Sequence, residues 1–181
     1  MANWKYVTAP SVCERVIGFS IPDEHEELLI ISYEGMHTLK LGEDIVVSHD
    51  NNFQEYDLYD PDLGVASYKD RDWPIIGLMG GTPIHRSVHG EELRIDESKQ
   101  RFTVRLDGKV IFKDTYKNFS GDWIAGTFST DGNWLILGCP YDFDLIILRR
   151  SEIGEQNNSC EATGDNVSSL IRNLIRRCLR I

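Results

Sequence analysis

The sequence predicts a mainly β fold built from antiparallel sheets, on three observations. A strand-turn-strand unit is written twice, as VIGFSIPDEHEELLIISYEGMHTLKL over residues 16–41 and IAGTFSTDGNWLILGCPYDFDLIIL over residues 124–148. Between the copies, RFTVRLDGKVIFKDTY alternates apolar and polar residues about an Asp-Gly pair, the strongest short-range hairpin signal. Helical periodicity is confined to the last stretch, residues 166–181. Self-similarity of this kind marks similar sheets built from the same local unit.

Taken in order, each copy opens on Phe-Ser followed by an Asp-containing turn (Phe19, Ser20, Asp23; Phe128, Ser129, Asp131). An apolar run follows, residues 28–31 and 134–137, then an aromatic-acidic turn (Tyr33-Glu34-Gly35; Tyr141-Asp142-Phe143) and a further strand. Residues 48–68 are acidic and aromatic, with a turn at Asp60-Pro61-Asp62 and Gly64. Pro74, Gly77, Gly80, Gly81 and Pro83 then make mostly loop around a short apolar strand over 75–79. A strand over 92–95 precedes the hairpin, in which Phe102, Val104 and Leu106 face one way and Asp107-Gly108 supplies the positive φ values of a type I′ turn. The loop 118–122 leads into the second unit. Residues 1–150 are thus one antiparallel β domain and 151–165 a polar linker. In residues 166–181, Val167, Leu170, Ile171, Leu174, Ile175, Cys178 and Leu179 form one helix face. Asp165 is placed to cap that amphipathic, basic helix, and arginines near its end favour the dipole.

The formal net charge is −10, although residues 167–181 carry four arginines and no acid. An acidic surface repels phosphate backbones, which argues against nucleic acid and suits a basic protein partner. No segment approaches a membrane span, and the N-terminal residues show no apolar signal region, so the expectation is a cytoplasmic chain. Cys13, Cys139, Cys160 and Cys178 contain no Cys-x-x-Cys pair; buried thiols or a single disulfide both fit. A homo-oligomer could form through the C-terminal helix, whose other option is to pack on the β body.

Few residues carry a chemical signature. His85 and His89 are four apart, followed by Glu91 and Glu92, but Gly-Gly-Thr-Pro before them argues for a loop, not the helix that would aim both rings at one metal. Asp57, Asp60 and Asp62 could offer oxygens to calcium, without the EF-hand spacing. The stretch 77–82 is glycine-rich but lacks the phosphate-binding Gly-Lys-Ser/Thr ending. No nucleophile elbow and no catalytic cysteine signature is present. The reading is therefore a protein that is not an enzyme, with no metal and no cofactor.

The phrase Phe-Ser-Thr-Asp-Gly-Asn-Trp-Leu-Ile-Leu-Gly, residues 128–138, resembles the blade grammar of WD40-like β-propellers, in which a strand ends in Phe-Ser-x-Asp-Gly and the next opens on a large apolar residue. The first copy is similar more loosely, with Pro22-Asp23-Glu24-His25 in place of Asp-Gly, and Trp-Asp dipeptides are missing at blade ends. At about 40 residues per blade, residues 1–150 hold three to four. The resemblance implies antiparallel sheets in a small or incomplete propeller-like arrangement; a β-sandwich is the alternative.

Functionally, the acidic-aromatic stretch stands out. Phe53, Tyr56, Tyr59 and Tyr68 are expected as exposed aromatics among Glu55, Asp57, Asp60, Asp62, Asp70 and Asp72. Aromatic anchors with steering carboxylates suit the recognition of a basic protein. In size, acidity and lack of catalytic motifs the chain is similar to immunity and antitoxin proteins, which occlude a basic toxin domain. The alternatives are a scaffold or assembly subunit that engages a second chain through its helix, and a metal-dependent enzyme using His85 and His89.

Overall fold

The structure, a computed structural model, describes residues 3–9, 15–50, 59–60, 62–77, 80–118, 123–139 and 145–151. Ser151, the first residue of the expected linker, is the last residue of a strand; the rest of that linker and the expected C-terminal helix lie outside these residues. The strands are β1 Asn3–Tyr6, β2 Val16–Ser20, β3 Glu27–Ser32, β4 Gly35–Lys40, β5 Val46–Asp50, β6 Tyr59–Asp60, β7 Val65–Ser67, β8 Asp72–Gly77, β9 Glu92–Asp96, β10 Arg101–Leu106, β11 Lys109–Thr115, β12 Ala125–Phe128, β13 Trp134–Gly138 and β14 Ile146–Ser151. The chain is mainly β, and all strand pairings among the described residues are antiparallel. A 3₁₀ turn, Glu97–Lys99, joins β9 to β10, capped by the Asp96 side chain. Among the described residues no helix is long and apolar enough to cross a membrane.

The repeated unit is the same device used twice. Phe19 and Phe128 are fully buried at the ends of β2 and β12. The next residue, Ser20 or Ser129, turns its hydroxyl inward to accept the backbone N–H of the following strand, from Leu29 at 2.8 Å and from Trp134 at 3.0 Å. The turn aspartates then accept backbone N–H groups of their own loops: Asp23 from His25 and Glu27, Asp131 from Asn133. Burial opposes ionisation of Asp131, but bonds from Ser129 and Asn133 outweigh it and hold the carboxyl below its usual range. The two turns also meet, because Thr130 N–H donates to the Pro22 carbonyl at 3.0 Å.

Three sheets result: β1-β14-β13-β12, β11-β10-β9 and β5-β4-β3-β2-β8-β7-β6. The first copy is longer than the sequence reading has it, since β5 pairs with β4 beyond Leu41. The strand expected over 75–79 begins instead at Asp72, because Trp73 and Ile75 are both buried on one face. The hairpin follows expectation, with Asp107 and Gly108 at φ 50° and 77°, plus a bulge at Val104/Arg105.

Packing stacks the sheets in layers. One face of the four-stranded sheet buries Trp134, Ile136 and Ile147 against Phe19, Leu28, Ile30 and Leu39. Its other face buries Phe128, Leu135, Leu137 and Leu148 against Leu93, Phe102 and Val104. A third cluster joins Leu29, Ile31 and Met36 to Ala66, Tyr68, Trp73 and Ile75. These belong to one hydrogen-bonded sheet yet touch face to face, so the seven-stranded sheet folds back on itself at the β2–β8 pairing. Gly18 and Gly77 are directly opposed there. A Cβ on Gly18 would lie 2.8 Å from Ile75 Cγ2, and one on Gly77 2.7 Å from the Ile17 carbonyl oxygen. Two facing glycines thus allow the close backbone approach that makes the corner.

Candidate interaction surface

The layer β6–β8 carries the acidic stretch singled out in the sequence. Phe53, Glu55, Tyr56 and Asp57 lie outside the described residues; Tyr59, Asp60, Asp62, Asp70 and Asp72 lie within them. All four aspartates are exposed and Tyr59 is half-buried. Tyr68 corrects the expectation of an exposed ring: it is buried, because its ring completes the cluster under Trp73 and Met36. Its hydroxyl donates to Asp50 at 3.0 Å, and burial, then that bond, pushes its pKa up to about 12. Tyr59 is also raised, by burial and then by Asp60.

The aspartates form two groups at the two ends of β7, roughly 10 Å apart along a three-residue strand. At one end Asp60 builds the turn, its carboxylate accepting from Asp62 N–H at 2.9 Å and Leu63 N–H at 3.0 Å. That turn thrusts Leu63 into solvent, 74% exposed and next to carboxylates. At the other end, Tyr68 N–H bonds to the Arg71 carbonyl across Lys69 and Asp70, which sit at φ 53° and 57°. This is a two-residue hairpin tip of the positive-φ kind, made by residues that adopt that conformation at a cost of about 1 kcal/mol each. Asp72 accepts from Ser67 at 2.6 Å.

The local cations do not cancel this charge. Arg71 stacks over the Trp73 ring at 3.7 Å and reaches back to Asp23 and to Glu27, the latter at 2.9 Å. Lys69 lies over the Tyr68 ring at 5.1 Å. The surface therefore presents Asp60 and Asp62 beside an apolar Leu63 at one end of β7, and Asp70 and Asp72 at the other. It is distinct from a cleft of about 630 Å³ lined by Lys5 and Arg149 on the β1/β14 side and by Glu26 and Glu43.

Other candidates separate in space. His85 contributes its carbonyl to Leu93 N–H, while His89 N–H bonds to the Ser87 hydroxyl. Glu91 is fully buried and receives Arg150 at 3.1 Å, which ties the segment before β9 to β14. Among the described residues no three His, Cys, Asp or Glu side chains converge as a metal cluster. Cys139 is buried in the core. Leu78 and Met79 of the glycine-rich stretch lie outside the described residues.

Sequence reasoning missed one constellation. His37 and His49 are cross-strand partners on β4 and β5, with their Nδ1 atoms 2.7 Å apart. His37 Nε2 lies 3.0 Å from the Ser32 hydroxyl. Burial first, and then His49, lower the His37 pKa below its ordinary 6.5, with Glu34 opposing. The signal was available: a turn centred on Glu43 puts residues 37 and 49 opposite each other, but only if β5 is recognised as a strand.

No family model matches this chain, and no curated protein and no solved structure matches it either.

Proposed function

We propose that this chain is a non-enzymatic protein-binding module, in its most concrete form an immunity or antitoxin-like protein that covers a basic domain of its partner with the β6–β8 layer. The observation that carries the reading is the exposed Asp60, Asp62, Asp70 and Asp72 along the β6–β8 layer, with Leu63 exposed beside the first two and Arg71 already engaged by Asp23 and Glu27. Interfaces of this kind use an apolar anchor inside a polar rim, and rim charges accelerate association. The net charge of −10 acts in the same direction over longer range. For the body we propose a small propeller-like arrangement in which the folded seven-stranded sheet supplies two of four blade-like groups of strands. The reading is supported by four successive groups of strands, β2–β5, β6–β8, β9–β11 and β12–β14, the last completed by β1.

The test is capture of partners from native lysate by the full-length chain, followed by binding kinetics of the purified pair. Asp62→Lys is the informative variant, since Asp60 carries the turn. The expectation is a single basic partner whose association slows about tenfold with Asp62→Lys and slows further with added salt. An affinity indifferent to both Asp62→Lys and Leu63→Ala would refute this placement of the interface.

A further inference from the structure

We infer that His37 and His49 form a two-nitrogen site for a divalent transition-metal ion of the kind that prefers imidazole. The argument begins with the Ser32 hydroxyl. Its one proton goes to the Gly35 carbonyl at 3.2 Å, and it accepts Glu34 N–H at 3.1 Å. In that arrangement it accepts from His37, and we assign the His37 proton to Nε2, which leaves a lone pair at Nδ1. That lone pair points at His49 Nδ1, 2.7 Å away, with the ring planes at 84°. An inner ligand whose far nitrogen is fixed by a hydrogen bond is the arrangement that orients histidine toward metals.

His49 supplies the second nitrogen. It is exposed on the edge strand β5. Moving its proton from Nδ1 to Nε2 is a tautomer change that releases no proton from the neutral ring. It leaves two Nδ1 lone pairs converging from neighbouring strands. Metal–nitrogen bonds of about 2.0–2.1 Å at a 90–110° angle need nitrogens about 2.9–3.4 Å apart. The pair must open by only a few tenths of an ångström, and β5 lies at the sheet edge, with β4 as its one strand neighbour among the described residues. The remaining coordination positions belong to water. Imidazole donors select Cu²⁺, Ni²⁺ and Zn²⁺ over Ca²⁺ and Mg²⁺, and two nitrogens without a carboxylate cage give affinities in the order Co²⁺ < Ni²⁺ < Cu²⁺.

The experiment is a calorimetric titration of the full-length chain with Ni²⁺, repeated on His49→Gln, on the double variant His85→Gln/His89→Gln, and on Ser32→Ala. His49 is exposed on an edge, so its replacement leaves the buried core intact. The result expected is one saturable equivalent in the parent chain and in the His85/His89 variant. Affinity should fall about tenfold in Ser32→Ala and by more in His49→Gln. Ni²⁺ should also raise the melting temperature of the parent but not of His49→Gln. Equal Ni²⁺ affinity in the parent and His49→Gln, or no saturable binding to the parent, would overturn the assignment.

Discussion

Ser20 and Ser129 show how a single hydroxyl sets a repeat. Each follows a buried phenylalanine and satisfies a backbone N–H that would otherwise be orphaned inside the core. This explains why Phe-Ser was visible in the sequence as a pair while the turns after it differ in length. The serine meets a fixed need, whereas the turn only has to return the chain. Ser129→Ala leaves the Trp134 N–H buried and unpaired, so it should lower unfolding free energy by about 1–3 kcal/mol. Ser98→Ala, which removes an exposed hydroxyl, should cost under about 0.5 kcal/mol. Urea midpoints of the two variants measure the difference, and similar midpoints would deny the hydroxyl this role. The His37–His49 pair was hidden for the opposite reason. Neither histidine belongs to a spaced motif, and their meeting depends wholly on cross-strand register.

At the scale of elements, legibility followed local chemistry. Asp107-Gly108 announced its hairpin because those residue types favour positive φ, and the structure places the turn there. Lys69-Asp70 makes a turn of the same sign with an aspartate but no glycine, so its propensity signal is weaker; packing of Tyr68 and Trp73 on either side holds it. The acidic stretch was legible as composition, but not which aromatics it exposes, because the burial of Tyr68 is decided by a fold-back between distant strands. That fold-back turns on Gly18 opposite Gly77, and the sequence marks only Gly77, as one loop residue among several. Gly18→Ala should cost about 1–3 kcal/mol through overpacking against Ile75. Gly77→Ala should cost more, because its φ is 143° and its new Cβ would meet backbone, which cannot rotate away. Chemical denaturation ranks the two, and a Gly77→Ala protein as stable as the parent would mean the corner tolerates a wider spacing.

For the molecule as a whole, the order of layers differs from the order of the chain. The four-stranded sheet of the second copy lies between the first copy and the β9–β11 sheet, and the N-terminal strand β1 completes it along β14. Such long-range pairing leaves no local trace, which is why the sequence foretold sheets and hairpins but left their stacking open between two arrangements. β1 brings Trp4, which is 3% exposed and lies 5.6 Å from the Phe128 ring. Tyr6 beside it bonds to Asp114 of β11, so one short strand ties two sheets together. If β1 is part of the cooperative unit, Trp4→Ala should lower global stability by about 3–5 kcal/mol, as large aromatic deletions in cores do. Far-UV circular dichroism and the fluorescence of the remaining tryptophans should then shift together, in one transition. If β1 were an appendage, Trp4→Ala would leave the main transition in place and change only amide exchange in β1 and β14. The choice bears on function as well. A body closed by its first strand offers the acidic β6–β8 layer on a rigid frame, whereas one that opens at β14 would expose a strand edge able to recruit other chains.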